Sequence, residues 1–307
     1  MKVFVTGCGG MLGSALYPAL RAQGHDILAT DRSVNESWLS RLDVRDHDAL
    51  KSEVAAFRPH VIYHLAAETD LEWCEKHPKE AADTNAHATR WLARLCAGWH
   101  IPLVYISTAG IFDGKKETPY DERDRPAPIN VYGRTKFAGE QAIRETDAHH
   151  YIVRAGWMIG GGPKDHKFVA KIVNQLRNGR TEIYAVDDKF GTPTYAKDFA
   201  ANLELLVQSG AWGTYHMVCE GGGTRYDVAQ EIVSILGRTD VTVVPVTSDF
   251  FADEYFAPRP RSEMMVNRAL RRADLNRMRP WQEALADYIR SNSFLTEAGV
   301  AVSAAPR

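Results

Sequence analysis

The residues in this 307-residue chain whose types and spacing best suit chemistry are Tyr132 and Lys136, in Asn130-Val131-Tyr132-Gly133-Arg134-Thr135-Lys136. Four positions apart on a helix, they project from one face into one site. A phenol with a pKa of about 10 exchanges protons poorly at neutral pH, and a neighbouring ammonium lowers that pKa by stabilising the phenolate. A tyrosine tuned in this way can protonate a carbonyl oxygen while a hydride arrives at the carbon. A Tyr-x-x-x-Lys pair recurs by chance in many helices. What gives it weight is its place after Ser107-Thr108, which ends an apolar run, and downstream of a glycine-rich turn.

That turn is Thr6-Gly7-Cys8-Gly9-Gly10-Met11-Leu12-Gly13. It follows the apolar run Val3–Val5 and opens a helix over Met11–Ala22, which carries Leu12, Leu16 and Leu20 at four-residue spacing. Gly7 permits the tight turn, Gly10 lets the backbone approach a pyrophosphate, and Gly13 lets the helix pack close to the sheet. Free N–H groups and the dipole at the helix start then hold the anion, so Gly7, Gly10, Met11, Leu12 and Gly13 form the expected dinucleotide cradle. Asp31 ends the second strand 24 residues after Gly7. An acid there suits the adenosine ribose hydroxyls, whereas the adjacent Arg32 suits a 2′-phosphate, so both NADH and NADPH stay open.

These residues need a scaffold, and the pattern supplies one. Strands are expected at Val3–Val5, Asp26–Ala29, His60–Leu65, Leu103–Ser107 and Tyr151–Arg154, alternating with helices at Met11–Ala22, Asp48–Phe57, Pro78–Gly98 and Asn130–Thr146. Nearly continuous apolar strands alternating with amphipathic helices imply an α/β fold with a doubly wound parallel sheet covered on both faces. Ser107-Thr108 then falls at the carboxyl edge of the sheet, where such folds bind ligands. Beyond Arg154 the rhythm loosens. Gly160-Gly161-Gly162-Pro163 breaks the chain; helices follow at Phe168–Arg177, Asp198–Gln208, Tyr226–Leu236 and Pro280–Arg290, with strands at Thr181–Val186, Thr214–Val218 and Val241–Val246.

Composition narrows the function. The chain length suits one large or two modest domains. Lys and Arg total 37 against 39 Asp and Glu, a net charge of −2. That balance excludes a broad nucleic-acid or anionic-membrane surface. No run approaches a membrane span, and the N-terminus lacks a secretory apolar core, so a cytoplasmic protein is expected. Cys8, Cys74, Cys96 and Cys219 lie far apart and read as free thiols. Cys74 and His77 lack a second ligand pair and read as a solvated helix face; no metal site is expected. Trp91 and Trp99 are expected to pack against the sheet or a neighbouring subunit. His149-His150 reads as an exposed loop pair, and Glu122-Arg123-Asp124-Arg125 as a solvated charged loop flanking the site.

Gly7-x-x-Gly10-x-x-Gly13, His64-Leu65-Ala66-Ala67, Asn85, Ser107-Thr108 and Tyr132-x-x-x-Lys136 together resemble the extended short-chain dehydrogenase/reductase superfamily. Over residues 1 to 290 the chain is similar, more narrowly, to the dTDP-4-dehydrorhamnose reductases. That likeness rests on Ile111-Phe112-Asp113-Gly114, Pro128 to Lys136 with Gly139-Glu140, Arg154 with Trp157, Phe190 to Thr194, and Arg259-Pro260. The resemblance implies a Rossmann domain over 1–155, joined again by about 181–208, and a smaller α/β substrate-binding domain over 156–180 and 209–290, with 291–307 as a tail. It also implies roles. Tyr132 protonates the sugar keto oxygen, Lys136 holds the nicotinamide ribose, and Thr108 hydrogen-bonds the carbonyl oxygen. Leu65, Ala66 and Ala67 pass beside the cofactor, and Asp43-Val44 meets adenine. Trp157 lines the sugar pocket, and Arg259 approaches the nucleotide-sugar, where a guanidinium pairs well with phosphate.

Two departures touch substrate recognition. Ala109-Gly110 stands where the reductases carry Asp-Tyr, and Arg261-Ser262-Glu263 where an Asn-Ser pair is usual. The expected activity is NAD(P)H-dependent reduction of a nucleotide-linked 4-keto-6-deoxy sugar, foremost dTDP-4-dehydro-L-rhamnose. A nucleotide-sugar epimerase or dehydratase is the second reading. A noncatalytic NAD(P)-binding regulatory subunit, like that of methionine adenosyltransferase, is the third. Magnesium is implied by resemblance alone, without an acidic cluster to assign it to, and a homodimer is the default assembly.

Overall fold

The computed structural model describes residues 1–292, and the expected tail lies outside these apart from Ser291 and Asn292. β1 (Lys2–Thr6) leads through the glycine turn to α1 (Met11–Ala22), then β2 (Asp26–Asp31), β3 (Ser40–Arg41) and α2 (His47–Phe57). β4 (Val61–His64), α3 (Leu71–Lys76), α4 (Pro78–Ala82) and α5 (Ala88–Trp99) precede β5 (Leu103–Thr108), α6 (Val131–Arg144) and β6 (His150–Ala155). β7 (Trp157–Ile159), α7 (Phe168–Arg177), β8 (Glu182–Val186), β9 (Phe190–Gly191) and β10 (Pro193–Tyr195) lead to α8 (Ala196–Gln208) and β11 (Gly213–His216). The described chain ends with β12 (Gly223–Thr224), α9 (Arg225–Ile235), β13 (Thr242–Val246), α10 (Arg268–Arg272) and α11 (Trp281–Arg290).

The main sheet has seven strands in the order β11-β6-β5-β4-β1-β2-β3, all parallel. Alternation along β1 explains why both faces are covered. Val3 and Val5 join Leu12, Leu16 and Leu20 of α1 and Phe199, Leu203 and Leu206 of α8 in one core. Phe4, between them, joins Leu50, Val54, Leu92 and Tyr105 in the other. Each fully buried leucine or phenylalanine contributes about 1.5–3 kcal/mol. Strand order reverses between β1 and β4, so a crevice opens at their carboxyl ends.

Three differences from the sequence reading matter to the site. The helix expected over Pro78–Gly98 is broken by a π-helical turn at Asp83–His87, and α3 precedes it as a separate helix. Second, of the segment expected to rejoin the first domain, 181–208, it is α8 that packs on α1 and β1. β8 pairs with β13 outside the main sheet, and it is β11 that forms the sheet's edge. Third, Glu122 is not a solvated loop residue: its carboxylate accepts the backbone N–H groups of His216 (2.9 Å) and Ala269 (3.1 Å), tying the edge strand to α10.

Smaller differences follow from packing. Cys74 points inward from α3, and Trp99, at the end of α5, is 40% exposed. His149 is exposed as expected, but His150 begins β6. All four cysteines are free. Among the described residues, no helix is long and apolar enough to cross a membrane.

Gly7 has φ +69, and a Cβ there would collide with the backbone of Ala66; one on Gly13 would collide with the carbonyl of Cys8. Gly13→Ala should therefore cost about 1–3 kcal/mol through overpacking. A urea melt with an unchanged midpoint would contradict this close approach of α1 to the turn.

Candidate functional site

The crevice at the β1/β4 reversal is a continuous cleft lined by Gly7, Gly10, Met11, Leu12 and Gly13. Asp31, Arg32, Asp43 and Val44 line one end, Leu65, Ala66 and Ala67 the middle, and Thr108, Tyr132 and Lys136 the other end. The structure thus brings together every residue expected to hold the dinucleotide. No side chain caps α1, whose capping residue is Gly10, so the first amides of the helix are free to face an anion. The elongated cleft, with a glycine turn at its waist and no room for a Cβ at Gly7, fits an extended dinucleotide.

At the adenosine end, Asp31 accepts from the amides of Gly9 (3.0 Å) and Ser33 (3.0 Å). Arg32 is exposed and makes no hydrogen bond or ion pair among the described residues. Asp43 is bound by Arg45 (Nε to Oδ1, 3.0 Å), whose guanidinium holds its carboxyl below the usual range.

A set of buried hydrogen bonds fixes the middle of the cleft. His64 Nδ1 meets Thr6 Oγ1 at 2.8 Å and its Nε2 meets Thr89 Oγ1 at 3.1 Å, joining β1, β4 and α5. Burial drives this imidazole's pKa down to about 3, so it stays neutral. Asn85, in the π-helical turn, accepts from Glu68 N (2.8 Å) and donates to Glu68 O (2.9 Å) and Thr135 Oγ1 (3.1 Å). That one amide holds the segment that follows β4 against α6.

Helix α6 starts where Asn130 accepts from Gly133 N at 2.7 Å, which orients Tyr132 and Lys136 into the cleft. Lys136 Nζ lies 4.1 Å from the centre of the Tyr105 ring. Burial lowers its pKa to about 7, against the opposing pull of Glu140 one turn further on. Glu140 is itself buried. Burial raises its pKa, but two hydrogen bonds from Arg154 (2.9 and 2.8 Å) and that residue's charge outweigh it, and the carboxyl ends below its usual range.

Tyr132 behaves differently from the sequence expectation. Burial pushes its pKa up to about 12, a hydrogen bond with Thr108 opposes this, and Lys136 is not among the groups that move it. The structure therefore presents a neutral phenol, a proton donor, backed by the Thr108 hydroxyl.

Trp157 and Arg259, the expected substrate residues, lie outside the dinucleotide cleft. Trp157 Nε1 donates to Glu263 Oε2 at 2.9 Å, and the Arg225 guanidinium lies 3.8 Å from the Trp157 ring centre. Arg259 is engaged by Glu72 of α3 (2.7 and 3.1 Å) and by the carbonyls of Tyr255 and Ala257, a pairing that the sequence does not announce because α3 is not evident in it. Arg225, stacked on Trp157, makes no hydrogen bond among the described residues, and burial lowers its pKa to about 10. The sequence reading also missed Lys164, His166 and Lys167 in the cleft wall. The run of basic residues after Gly160-Gly161-Gly162-Pro163 was the available signal. Among the described residues, no cluster of three or more His, Cys, Asp or Glu side chains could hold a metal ion, so the site offers magnesium no donor set.

The RmlD substrate binding domain family matches residues 1–294. The chain is 34% identical over 290 residues to a dTDP-4-dehydrorhamnose reductase of Mycolicibacterium smegmatis, covering 94% of this chain and 85% of that one. It is 36% identical over 282 residues to a dTDP-4-keto-6-deoxy-D-glucose reductase of Streptomyces niveus, covering 92% and 94%. Among solved structures it is similar to a dTDP-4-dehydrorhamnose reductase from Bacillus anthracis in complex with NADP, with a TM-score of 0.85, 33% identity, and coverage of 94% and 99%.

The charge on Lys136 is open to direct measurement. Its side-chain amine should titrate near pH 7, charged below and neutral above, whereas an ordinary lysine titrates at about 10.4. Carbon-detected NMR of the lysine ε position, assigned with Lys136→Arg, reads this. An ordinary value would contradict the enclosed site.

Proposed function

The chain belongs to the RmlD substrate binding domain family, and from that membership we propose that it is an NADPH- or NADH-dependent reductase of a nucleotide-linked 4-keto-6-deoxy hexose, foremost dTDP-4-dehydro-L-rhamnose. The observation that carries the reading is the meeting of Thr108, Tyr132 and Lys136 at one end of the dinucleotide cleft. When bound, the reduced nicotinamide supplies a hydride to the keto carbon.

The chain's own groups do the rest. Tyr132, protonated at neutral pH, delivers its proton to the keto oxygen, and the Thr108 hydroxyl holds that oxygen in line. Lys136 holds the nicotinamide ribose, its ammonium donating hydrogen bonds to the ribose hydroxyls. At the other end, Asp31 suits ribose hydroxyls and the free Arg32 suits a 2′-phosphate, which supports use of either cofactor. Arg225 and Lys167 are the cations for the substrate diphosphate, the part first given to Arg259.

Tyr132→Phe should lower kcat by about 10²–10⁴-fold while leaving NADPH affinity within a few-fold of the parent. Absorbance at 340 nm with the dTDP-linked keto sugar follows turnover, and cofactor fluorescence follows binding. Unchanged turnover would remove Tyr132 from the mechanism. Interconversion of nucleotide sugars without net NADPH loss would instead identify an epimerase.

Lys136 should also set the alkaline limit. As pH rises through about 7 the ammonium is lost, so kcat/KM falls. Lys136→Arg, which stays charged, should abolish that fall in whatever activity remains. A profile with the same descending limb in both proteins would assign the limb to another group.

A further inference from the structure

Gly110 follows Thr108 by two residues and leaves open the space a side chain there would fill. A Cβ built on Gly110 would have two polar neighbours at 3.5 Å: Thr108 Oγ1 and Glu263 Oε1. Glu263 comes from a loop 150 residues further along, yet its carboxylate borders the same space as the hydroxyl of Thr108. Its charge reaches the phenol of Tyr132 and raises that group's pKa. Resting on the reductase reading, we propose that Glu263 selects the glycosyl group: its Oε1 accepts a hydrogen bond from a hydroxyl of the sugar in the space Gly110 leaves open.

The carboxylate is built for this. Its Oε2 is committed to Trp157 Nε1 at 2.9 Å. Oε1 accepts no hydrogen bond among the described residues, and the residue remains partly exposed. The indole is fixed in turn, for it packs directly on Gly191 and carries Arg225 over its ring.

The backbone of Glu263 is equally constrained. Its N–H donates to Phe190 O at 2.8 Å, and the carbonyl of Met264 accepts from Tyr120 N at 2.8 Å. A recognition group held on rigid support loses little freedom when it binds.

An ionised carboxylate can only accept, so the ligand group must be a donor. Arg225 and Arg259 already supply positive charge beside Glu263, which leaves a neutral hydroxyl as the fitting partner rather than an ammonium. Several hydroxyls on a hexosyl ring survive as C4 is reduced, so this contact distinguishes sugars without entering the chemistry.

Equilibrium binding tests the contact apart from catalysis. Affinities of dTDP and dTDP-L-rhamnose are measured by calorimetry for the parent, Glu263→Gln and Glu263→Ser, each with NADPH present. The parent should bind dTDP-L-rhamnose more tightly than dTDP. Both variants should lose about tenfold or more of that gain, the Ser variant at least as much as the Gln, with dTDP affinity unchanged. Unchanged dTDP binding also reports an intact fold. A gain that survives in both variants would overturn the proposal, as would a parallel loss for dTDP, which would make Glu263 a partner of the diphosphate cations instead. A parent protein that shows the Glu263-dependent gain yet oxidises no NADPH with any 4-keto sugar would overturn the reductase reading and support the contact. Failure of the parent to bind either ligand would overturn both.

Discussion

Asn85 is fully buried, and its side-chain amide makes three hydrogen bonds, two to the backbone of Glu68 and one to Thr135. The cleft depends on it because Glu68, beyond the end of β4, lies outside regular structure and finds partners for its N–H and C=O in this one side chain. A buried amide left unpaired costs about 1–3 kcal/mol. Thr135 lies between Tyr132 and Lys136 on α6, so the same amide that satisfies the wall of the cleft also sets the helix that carries both side chains into it. A regular helix would carry Asn85 at another angle. The π-helical turn over Asp83–His87 supplies the rotation, in keeping with the frequent placement of such turns at functional sites.

A second constraint is electrostatic. Lys136, Glu140 and Arg154 are all buried, and two cations face one anion. The bidentate pair of Glu140 with Arg154 ties α6 to β6 and consumes most of what Glu140 could offer Lys136. His216 stays neutral beside Arg154, its pKa lowered to about 3 by burial and then by that charge. The result is a lysine poised near neutrality and a tyrosine that keeps its proton, a division of labour set by burial more than by their mutual contact.

Much of this was legible from local pattern. The bounds of α1 and α7, the glycine turn and the shared face of Tyr132 and Lys136 follow from periodicity and residue type alone. So does the parallel sheet, because strands covered on both faces are apolar throughout. What was not legible depends on contacts across the fold. Nothing near Arg259 announces Glu72, and nothing near Gly110 announces Glu263. The π-helical turn is not announced by Pro78–Gly98, whose residues suit a helix throughout and carry no internal Gly or Pro to mark the inserted residue. The pKa of Tyr132 was misjudged for a related reason: spacing shows which charge is near, but not how little water remains.

The interleaving of the chain has a consequence for how the protein is made. β7 to β10 leave the main sheet after β6, and α8 and β11 then complete it before the chain departs again. During synthesis, then, the sheet's edge strand emerges only after half of the smaller unit. β8 must wait nearly sixty residues for β13, its only partner among the described strands. Loop closure over such distances is slow, and until it occurs β8 presents an open strand edge. The chain that has emerged as far as α9 therefore carries a nearly finished main sheet and an unpaired strand, and the loop bearing Glu263 follows only after β13 has arrived to pair it.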